Sequence, residues 1–439
     1  MASAHFETLM GRLQSRSAVV GIVGLGYVGL PLAVEFAENG FTVIGLDVAQ
    51  NKVDQLNSGH SYIPDIPTER LAPLVASGKL KATTQYADLG AADAVSICVP
   101  TPLRKTKDPD MSFVIQSVDA VADICHDGML VVLESTTYPG TTNEIVLPKL
   151  AARGFTAGEN VFVAFSPERI DPGNHKYGVK NTPKVVGGVT DSCSQVAAAL
   201  YGAAVDSVVM VNNPTTAEMV KLLENTFRAV NIGLVNEVAL MCDKLGIDVW
   251  EVIRAASSKP FGFMPFYPGP GLGGHCIPVD PHYLSWKLKT LNYNARFIEL
   301  ASEINTSMPL YVLEKVTQAL NDDRKSVKGS RVVVLGVAYK RDIDDVRESP
   351  ALDVIGLLEK RGAQVAYHDF FVPSVRLEHE GVMHTSEYSD ALLQDADCVV
   401  IVTDHTRYDW QHVLDHSKLI VDTRNAVGGK QGRARVVSL

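Results

Sequence analysis

Residues 18–47 restrict the fold more than any other stretch of the chain. An apolar run, 18–23, ends on Gly24-Leu-Gly-Tyr-Val-Gly29. Pro31 stands where a helix can begin, 32–38 reads as helix, Asn39-Gly40 stops it, and 41–46 is a second apolar run closing on Asp47. The unit is strand, glycine turn, helix, strand. Gly24, Gly26 and Gly29 fit G-x-G-x-x-G. The first permits the tight turn, the second lets the backbone approach a pyrophosphate, and the third lets helix and strand pack closely. The helix N-terminus then offers unpaired N–H groups and a positive dipole end to phosphates. Asp47 lies 23 residues beyond Gly24, where an acid accepts from a ribose hydroxyl and repels a 2′-phosphate. NAD is therefore expected rather than NADP, with Lys52 the nearby charge that weighs the other way. A glycine-rich turn without a ligand is the plainer alternative. The strand before, the helix after and the acid beyond all favour a dinucleotide.

Further strand candidates follow at 94–99, 129–133 and 161–165, alternating with helical stretches. That alternation predicts a parallel sheet with helices on both faces. A long helix is expected over 216–245, opened by a capping box of Thr215 with Glu218 and closed by Gly246. A second α/β unit begins after 321–330, with strands at 331–335, 364–367, 397–402 and 419–421 and a helix at 351–361. It carries Gly336-Val-Ala where a glycine fingerprint would stand, so it is not expected to hold a dinucleotide pyrophosphate in the same way. The expected class is α/β: two Rossmann-like, doubly wound parallel-sheet domains joined by a long central helix. The expected division is 1–212 for the NAD-binding domain, 213–320 for a central helical dimerisation and substrate-loop region, and 321–439 for the C-terminal domain.

Composition narrows the partners. A chain of 439 residues with a net charge of -10 and no long basic run is a poor match for nucleic acid or an anionic membrane. Its six cysteines form no CxxC pair, which argues against a disulfide framework or a zinc ribbon. The N-terminal residues lack the charged and apolar regions of a signal peptide, and no uncharged apolar run is long enough to span a bilayer. A reduced cytoplasmic setting is the expectation.

One cysteine stands apart. Cys276 lies in Gly271-Leu-Gly-Gly-His-Cys-Ile-Pro-Val-Asp280, inside a Pro- and Gly-rich segment, 257–281, that also holds Phe261, Phe263 and Phe266. Most single cysteines are small buried hydrophobes, and Cys98, Cys242 and Cys398 sit in apolar patterns that fit this. A metal set of His275, Cys276, Asp280 and His282 matches no common zinc spacing. A thiol beside a nicotinamide can instead capture an aldehyde and present it for a second hydride loss, which makes four-electron oxidation of an alcohol to an acid possible. Lys221, Asn225 and Arg228 recur at helical spacing and form a polar stripe. Such a stripe is usually a solvated face. Here apolar neighbours crowd it, and a lysine so placed can hold a developing alkoxide. Glu134-Ser-Thr136 and Ser166-Pro-Glu-Arg169 each follow a strand end, where ligands gather in doubly wound sheets, although either can be a simple turn.

These motifs, in this order, resemble the nucleotide-sugar 6-dehydrogenases of the UDP-glucose and UDP-mannosaminuronate dehydrogenase superfamily. The resemblance runs over about 19–428. It rests on Gly24 to Gly29, Cys98-Val-Pro-Thr-Pro102, Glu134-Ser-Thr136, Ser166-Pro-Glu168, 218–225, Gly273 to Asp280 and the run from Ala338-Tyr-Lys340 to Pro350. It implies that Cys276 is a nucleophile forming a thiohemiacetal and then a thioester. Lys221 and Asn225 would hold the reacting oxygen and a water with Asp280 as proton partner, Glu168 would aid thioester hydrolysis, and Thr136 would place water or nicotinamide. It implies further cofactor contacts from Tyr27, Val28, Pro100, Thr101 and Arg347. On the UDP-sugar it implies Lys340, Arg424, Phe266, Tyr267, Gly271 and Gly273. Many relatives carry an arginine near Lys259-Pro-Phe261 that reaches across to the partner's substrate. Lys259 stands in for it without a bidentate fork.

Arg169 after Glu168, and the run from Pro265 to Cys276, are most like the UDP-N-acetylglucosamine 6-dehydrogenase branch. UDP-N-acetylmannosamine or UDP-glucose is the alternative substrate. The implied product is a uronic acid for surface polysaccharide synthesis, and the implied assembly a homodimer or larger. Two rival readings remain at this point: a two-electron hydroxy-acid dehydrogenase of the 6-phosphogluconate type, and a non-catalytic NAD-sensing or scaffold protein. The count of NADH per sugar separates them.

Overall fold

The computed structural model describes residues 3–104, 108–171, 174, 176–377 and 381–439. Two compact units emerge: Met1–Glu224 with His282–Asn292, and Asn225–Pro281 with Tyr293–Leu439. The helix Pro214–Leu245 carries the chain from the first into the second.

The first unit is built on eight strands: β1 Val19–Val23, β2 Thr42–Leu46, β3 Leu80–Thr83, β4 Ala94–Ile97, β5 Leu130–Leu133, β6 Phe162–Phe165, β7 Lys184–Gly188 and β8 Val208–Val211. Their order across the sheet is β3-β2-β1-β4-β5-β6-β7-β8. Its central strands are apolar on both faces, as buried parallel strands are. Along β5, Leu130 and Val132 join one core cluster while Val131 and Leu133 join the other, so each face packs its own layer. The helices Gly29–Glu38 and Asp191–Tyr201 fill one layer, and Ser112–Ile124 contributes to the other.

The sheet departs from the all-parallel expectation at one place. β6 and β7 pair antiparallel, Ala164 with Gly188 and Phe165 with Gly187, while β7 and β8 run parallel to each other. A parallel return needs a crossover, usually a helix, and none forms among the described residues of 166–183. The seventh strand therefore begins at the edge where β6 and the strands parallel to it end.

The second unit holds β9 Arg331–Leu335, β10 Gln364–His368, β11 Ser374–Leu377, β12 Gly381–His384, β13 Cys398–Ile401, β14 Leu419–Asp422 and β15 Arg435–Ser438. Five of these form a parallel sheet in the order β10-β9-β13-β14-β15, and β11 with β12 is an antiparallel pair. Val332, Val334 and Val400 pack on one face with Arg296–Asp322 and Pro350–Lys360, and Val333, Val399 and Ile401 pack on the other. The two Rossmann-like sheets and the long helix that joins them in sequence match the expected class. β15 and the β11–β12 pair are additional.

The long helix starts differently from its predicted form. Asn213, not Thr215, supplies the cap, its Oδ1 accepting from the Thr216 N–H at 2.8 Å, with Pro214 at the first helical position. Glu218 does not reach back to close a capping box. Its carboxylate accepts from the Gly140 and Thr142 N–H groups at 2.5 and 2.8 Å and from the Thr142 hydroxyl at 2.7 Å. It thus caps the Gly140–Thr142 turn, because a buried carboxylate takes the nearest unpaired donors. The C-terminal expectation stands: Gly246 has φ +68°. No described helix is long and apolar enough to cross a membrane.

Candidate active site

In the first unit, the glycine turn, Asp47, Pro100, Thr101, Thr136 and Glu168 lie just beyond the carboxyl ends of β1, β2, β4, β5 and β6, while Lys52 and Lys221 lie on helices. The glycine turn is shaped for a ligand. A Cβ on Gly24, which has φ +93°, would lie 2.6 Å from the Cys98 carbonyl oxygen, and one on Gly29 would lie 1.8 Å from that of Gly24. Gly26 has no heavy atom within 4 Å of such a position, so the cradle is open on the side where a pyrophosphate approaches. The following helix has no side-chain N-cap and no acid in its first turn, which leaves its N–H groups and dipole for an anion. Tyr27 is exposed and Val28 half-buried at its mouth. Asp47 is fixed rather than loose: Oδ2 accepts from the Leu25 N–H at 3.0 Å and from Lys52 Nζ at 3.1 Å, and Oδ1 from the Ala49 N–H at 3.0 Å. Lys52 thus pairs with the acid. These features fit NAD.

The second sheet has the same acid in another use. Asp369, just after β10, accepts from the Val337 and Ala338 N–H groups at 2.7 and 3.1 Å, and His405 Nε2 lies 2.9 Å away. All of these groups are buried. Asp47 and Asp369 are thus both buried acids that bond the backbone of a glycine turn, and Asp369 adds a histidine partner.

The edge at β4, β5 and β6 carries Pro100, Thr101, Thr136 and Glu168. Pro100 is exposed; Thr101 and Thr136 are half-buried. The Ser135 hydroxyl donates to the Val99 carbonyl at 2.8 Å and so ties the β5 end to the β4 end. Glu168 is buried, and both its oxygens are engaged. Oε1 accepts from the Arg169 and Ile170 N–H groups at 2.6 and 2.9 Å, and Oε2 from Lys184 Nζ at 3.1 Å. Burial pushes the Glu168 carboxyl up, but the ammonium groups of Lys184 and Lys221 outweigh it and hold it below the usual carboxylate range. Lys221 is buried and its ammonium donates to the Glu168 carbonyl oxygen. Arg169 turns away to an ion pair with Glu224 at 2.6 Å.

Lys184 was not anticipated. It opens β7, is buried, and its ammonium lies 2.6 Å from Glu134 Oε2 as well as near Glu168. Glu134 Oε1 accepts from the Tyr201 hydroxyl at 2.5 Å. Only the reversal of β7 brings this lysine to the ligand edge, and strand direction leaves no mark in the sequence.

In the second unit, Cys276 sits half-buried in an irregular glycine segment, with His275 Nε2 3.4 Å from its sulfur. Its carbonyl accepts from the Asp280 N–H at 2.8 Å, which starts the helix Asp280–Lys289. Asp280 accepts from the Asn225 amide, and Arg228 donates to the Asn225 carbonyl oxygen. Asn225 and Asp280 are both buried, so the expected polar stripe is an interior network, while Leu223 and Phe227 face outward. The other cysteines are buried except Cys125, which is half-buried.

The segment 266–274 is anchored from several sides. Phe266 packs edge-on to Phe227 at 5.8 Å between ring centroids, and Tyr267 stacks on Trp250 at 6.4 Å. The Gly269 N–H donates to Asn236 Oδ1 at 2.9 Å, and the Gly274 N–H to the Arg347 carbonyl at 2.9 Å. A Cβ on Gly271, which has φ +137°, would lie 3.1 Å from Pro350, and one on Gly273 would lie 2.5 Å from Tyr339 Cβ. The Arg347 side chain forks Asp345, and Lys340, beside Tyr339, is half-buried. Arg424 bonds the Val402 carbonyl through Nε at 2.9 Å. Lys259 is exposed and lies over the Phe261 ring at 5.0 Å, apart from this cluster of contacts.

Comparison with known proteins covers the same ground. Three parts of the UDP-glucose/GDP-mannose dehydrogenase family match in order: its NAD binding domain over residues 18–205, its central domain over 215–307 and its UDP binding domain over 333–429. A UDP-N-acetyl-D-mannosamine dehydrogenase of Pyrococcus horikoshii is 36% identical over 418 residues, covering 93% of this chain and 96% of its own. An NDP-N-acetyl-D-galactosaminuronic acid dehydrogenase of Ralstonia nicotianae is 35% identical, covering 94% of this chain and 97% of its own. The solved structure of a UDP-D-ManNAc dehydrogenase from Pyrococcus horikoshii superposes with a TM-score of 0.87 at 34% identity, over 96% of this chain and 98% of that one.

Proposed function

The chain belongs to the UDP-glucose/GDP-mannose dehydrogenase family of NAD-dependent oxidoreductases, and we propose that it oxidises the C6 alcohol of a UDP-N-acetylhexosamine to the uronic acid. The observation that carries this reading is the ordered match of the NAD-binding, central and UDP-binding parts along one chain. The sequence reading favoured N-acetylglucosamine. The mannosamine named for relatives at 33–37% identity supports UDP-N-acetylmannosamine as the leading substrate.

When bound, NAD supplies the hydride acceptor for both oxidations. Lys221 and Asn225 hold the reacting oxygen, and the alcohol proton leaves to a water held by Lys221 and Asp280, with Asp280 as the proton partner. The Cys276 thiolate adds to the C6 aldehyde carbon, forming a C–S bond and a thiohemiacetal. Loss of the second hydride equivalent leaves a thioester. Glu168 draws a proton from the attacking water, the C–S bond breaks, and the thiolate returns to Cys276. A cationic Lys221 stabilises the oxyanion at each tetrahedral stage. Thr136 orients the water, and Lys340, Arg424 and the 266–274 segment hold the nucleotide-sugar, with Lys259 at its margin.

The protein acts as a homodimer in this proposal. Leu223, Phe227, Leu234, Met241 and Leu245 are exposed and fall on one face of the long helix, with Leu223 58% and Leu234 55% accessible. A stripe of that length is suited to a second copy of itself.

The test is a panel of UDP-sugars followed at the NADH band. Two NADH per sugar, fastest with UDP-N-acetylmannosamine, is the expected result. One NADH per sugar supports the two-electron rival, and none with any sugar refutes the enzyme reading.

A further inference from the structure

Lys184 is a buried lysine between two buried carboxylates, 2.6 Å from Glu134 and 3.1 Å from Glu168. A charge in such a place is costly to desolvate unless its partners compensate. A hydrophobic residue would fill the start of a strand more cheaply, so the cation needs another reason to be there.

The surroundings supply one. Glu168 Oε1 is saturated by two backbone N–H groups, which leaves Oε2 as the oxygen able to take a proton. The group that sets the charge and direction of Oε2 is the Lys184 ammonium. Lys184 is itself held from the far side: Glu134 bonds it, Tyr201 donates to Glu134 at 2.5 Å, and the lysine lies over the Tyr201 ring at 5.2 Å. The Ser96 and Tyr201 hydroxyls, 3.3 Å apart, close the chain. Two acids therefore face two cations, Lys184 and Lys221, and the pocket is balanced. An unbalanced pocket would draw a proton onto one acid, and Glu168 is the one that must stay bare to accept a proton from water.

We propose that Lys184 is a positioning residue for the hydrolytic half of the reaction, keeping Glu168 ionised and aiming its Oε2, with Glu134 and Tyr201 holding the lysine in place. The proposal rests on the assignment of Glu168 to thioester hydrolysis made above. Lys184 contacts neither substrate nor cofactor in this scheme, so the two oxidations proceed without it. The direction of the Glu168 shift agrees: the lysine holds the carboxyl down against burial.

The experiment compares wild-type protein with Lys184→Met and with the charge-balanced Lys184→Met/Glu134→Gln, which removes one charge of each sign and protects folding. Rapid mixing with NAD and the UDP-sugar that the wild type turns over is expected to give an NADH burst of near wild-type size in both variants. Steady turnover then falls roughly 10- to 100-fold, and mass spectrometry finds an acyl adduct on Cys276. The acid limb of kcat moves to higher pH, with recovery on the alkaline side, because Glu168 without its cation holds its proton to higher pH. KM values for NAD and sugar stay close to wild type. Wild-type turnover and pH profile in both variants overturn the proposal. Loss of the burst in step with turnover also overturns it, since that marks a structural lysine. Failure of the underlying assignment is distinct: wild-type protein would then give no second NADH, or Glu168→Gln would turn over normally.

Discussion

Gly269 and Arg424 are packed so closely that any side chain on the glycine would strike the arginine: an added Cβ would lie 2.5 Å from Nη1. The guanidinium is held on its other side by the Val402 carbonyl. Gly269→Ala is therefore expected to push Arg424 off its seat. If Arg424 serves the UDP-sugar, KM for the sugar rises about tenfold, the worth of roughly one charge-assisted hydrogen bond, while KM for NAD is unchanged. Initial-rate kinetics with each substrate varied in turn decide it.

Cys276→Ser is expected to bind NAD and sugar as before and to lose steady turnover by roughly a thousandfold. An alkoxide is a poorer leaving group than a thiolate, so any ester formed is not released. Isothermal titration and steady-state assays make the comparison. Normal turnover in this variant removes the nucleophile from the scheme.

Gly29→Ala tests the cofactor turn by sterics alone. Its Cβ would sit 1.8 Å from the Gly24 carbonyl oxygen, a contact that only backbone movement can relieve. A loss of roughly 2–4 kcal/mol of stability, with weaker NAD binding, is expected from denaturant titration and from cofactor titration. Gly26→Ala is the control. It meets no protein atom within 4 Å, so it should fold normally and impair NAD binding alone.

Acid stability should depend on His368. Burial pushes its pKa down to about 4, the nearby Asp369 charge opposing only in part, and Nδ1 sits 2.8 Å from the Tyr408 hydroxyl. A folded pKa below the unfolded value favours the neutral form. Between roughly pH 6.5 and 4 the unfolded chain binds a proton that the folded chain refuses, so stability falls as pH falls through that window. His368→Gln removes the proton site. Its Tm should decline less steeply than that of the wild type between pH 7 and pH 4.5, and parallel slopes would count against this.

The exposed stripe on the long helix gives a test of assembly. Leu223→Arg combined with Leu234→Arg places two charges on a face proposed to meet its own copy. Light scattering on a sizing column is expected to show a shift from dimer to monomer. Retention of the dimer moves the interface elsewhere.

Local patterns were legible from the residues themselves. The turn at Gly24 to Gly29 was readable because its chemistry is written within six positions, and Gly246 because a left-handed cap needs that residue. The polar stripe of Lys221 and Asn225 was found by its spacing, but its burial depends on which helix face the rest of the unit covers. The cap at Asn213 was missed because Glu218 had a stronger claim from the Gly140–Thr142 turn, 76 residues away at Thr142. Lys184 was invisible for a topological reason. A strand that begins with a lysine looks the same whichever way it runs, and only its direction sends that lysine to the ligand edge.

The reversed strand also makes a prediction about descent. A buried cation whose neighbours are acids from two other strand ends cannot be exchanged alone, since either partner left behind would be a bare charge in a dry place. Across homologous chains, the lysine at position 184 and the acids at positions 134 and 168 should be kept or lost as a set.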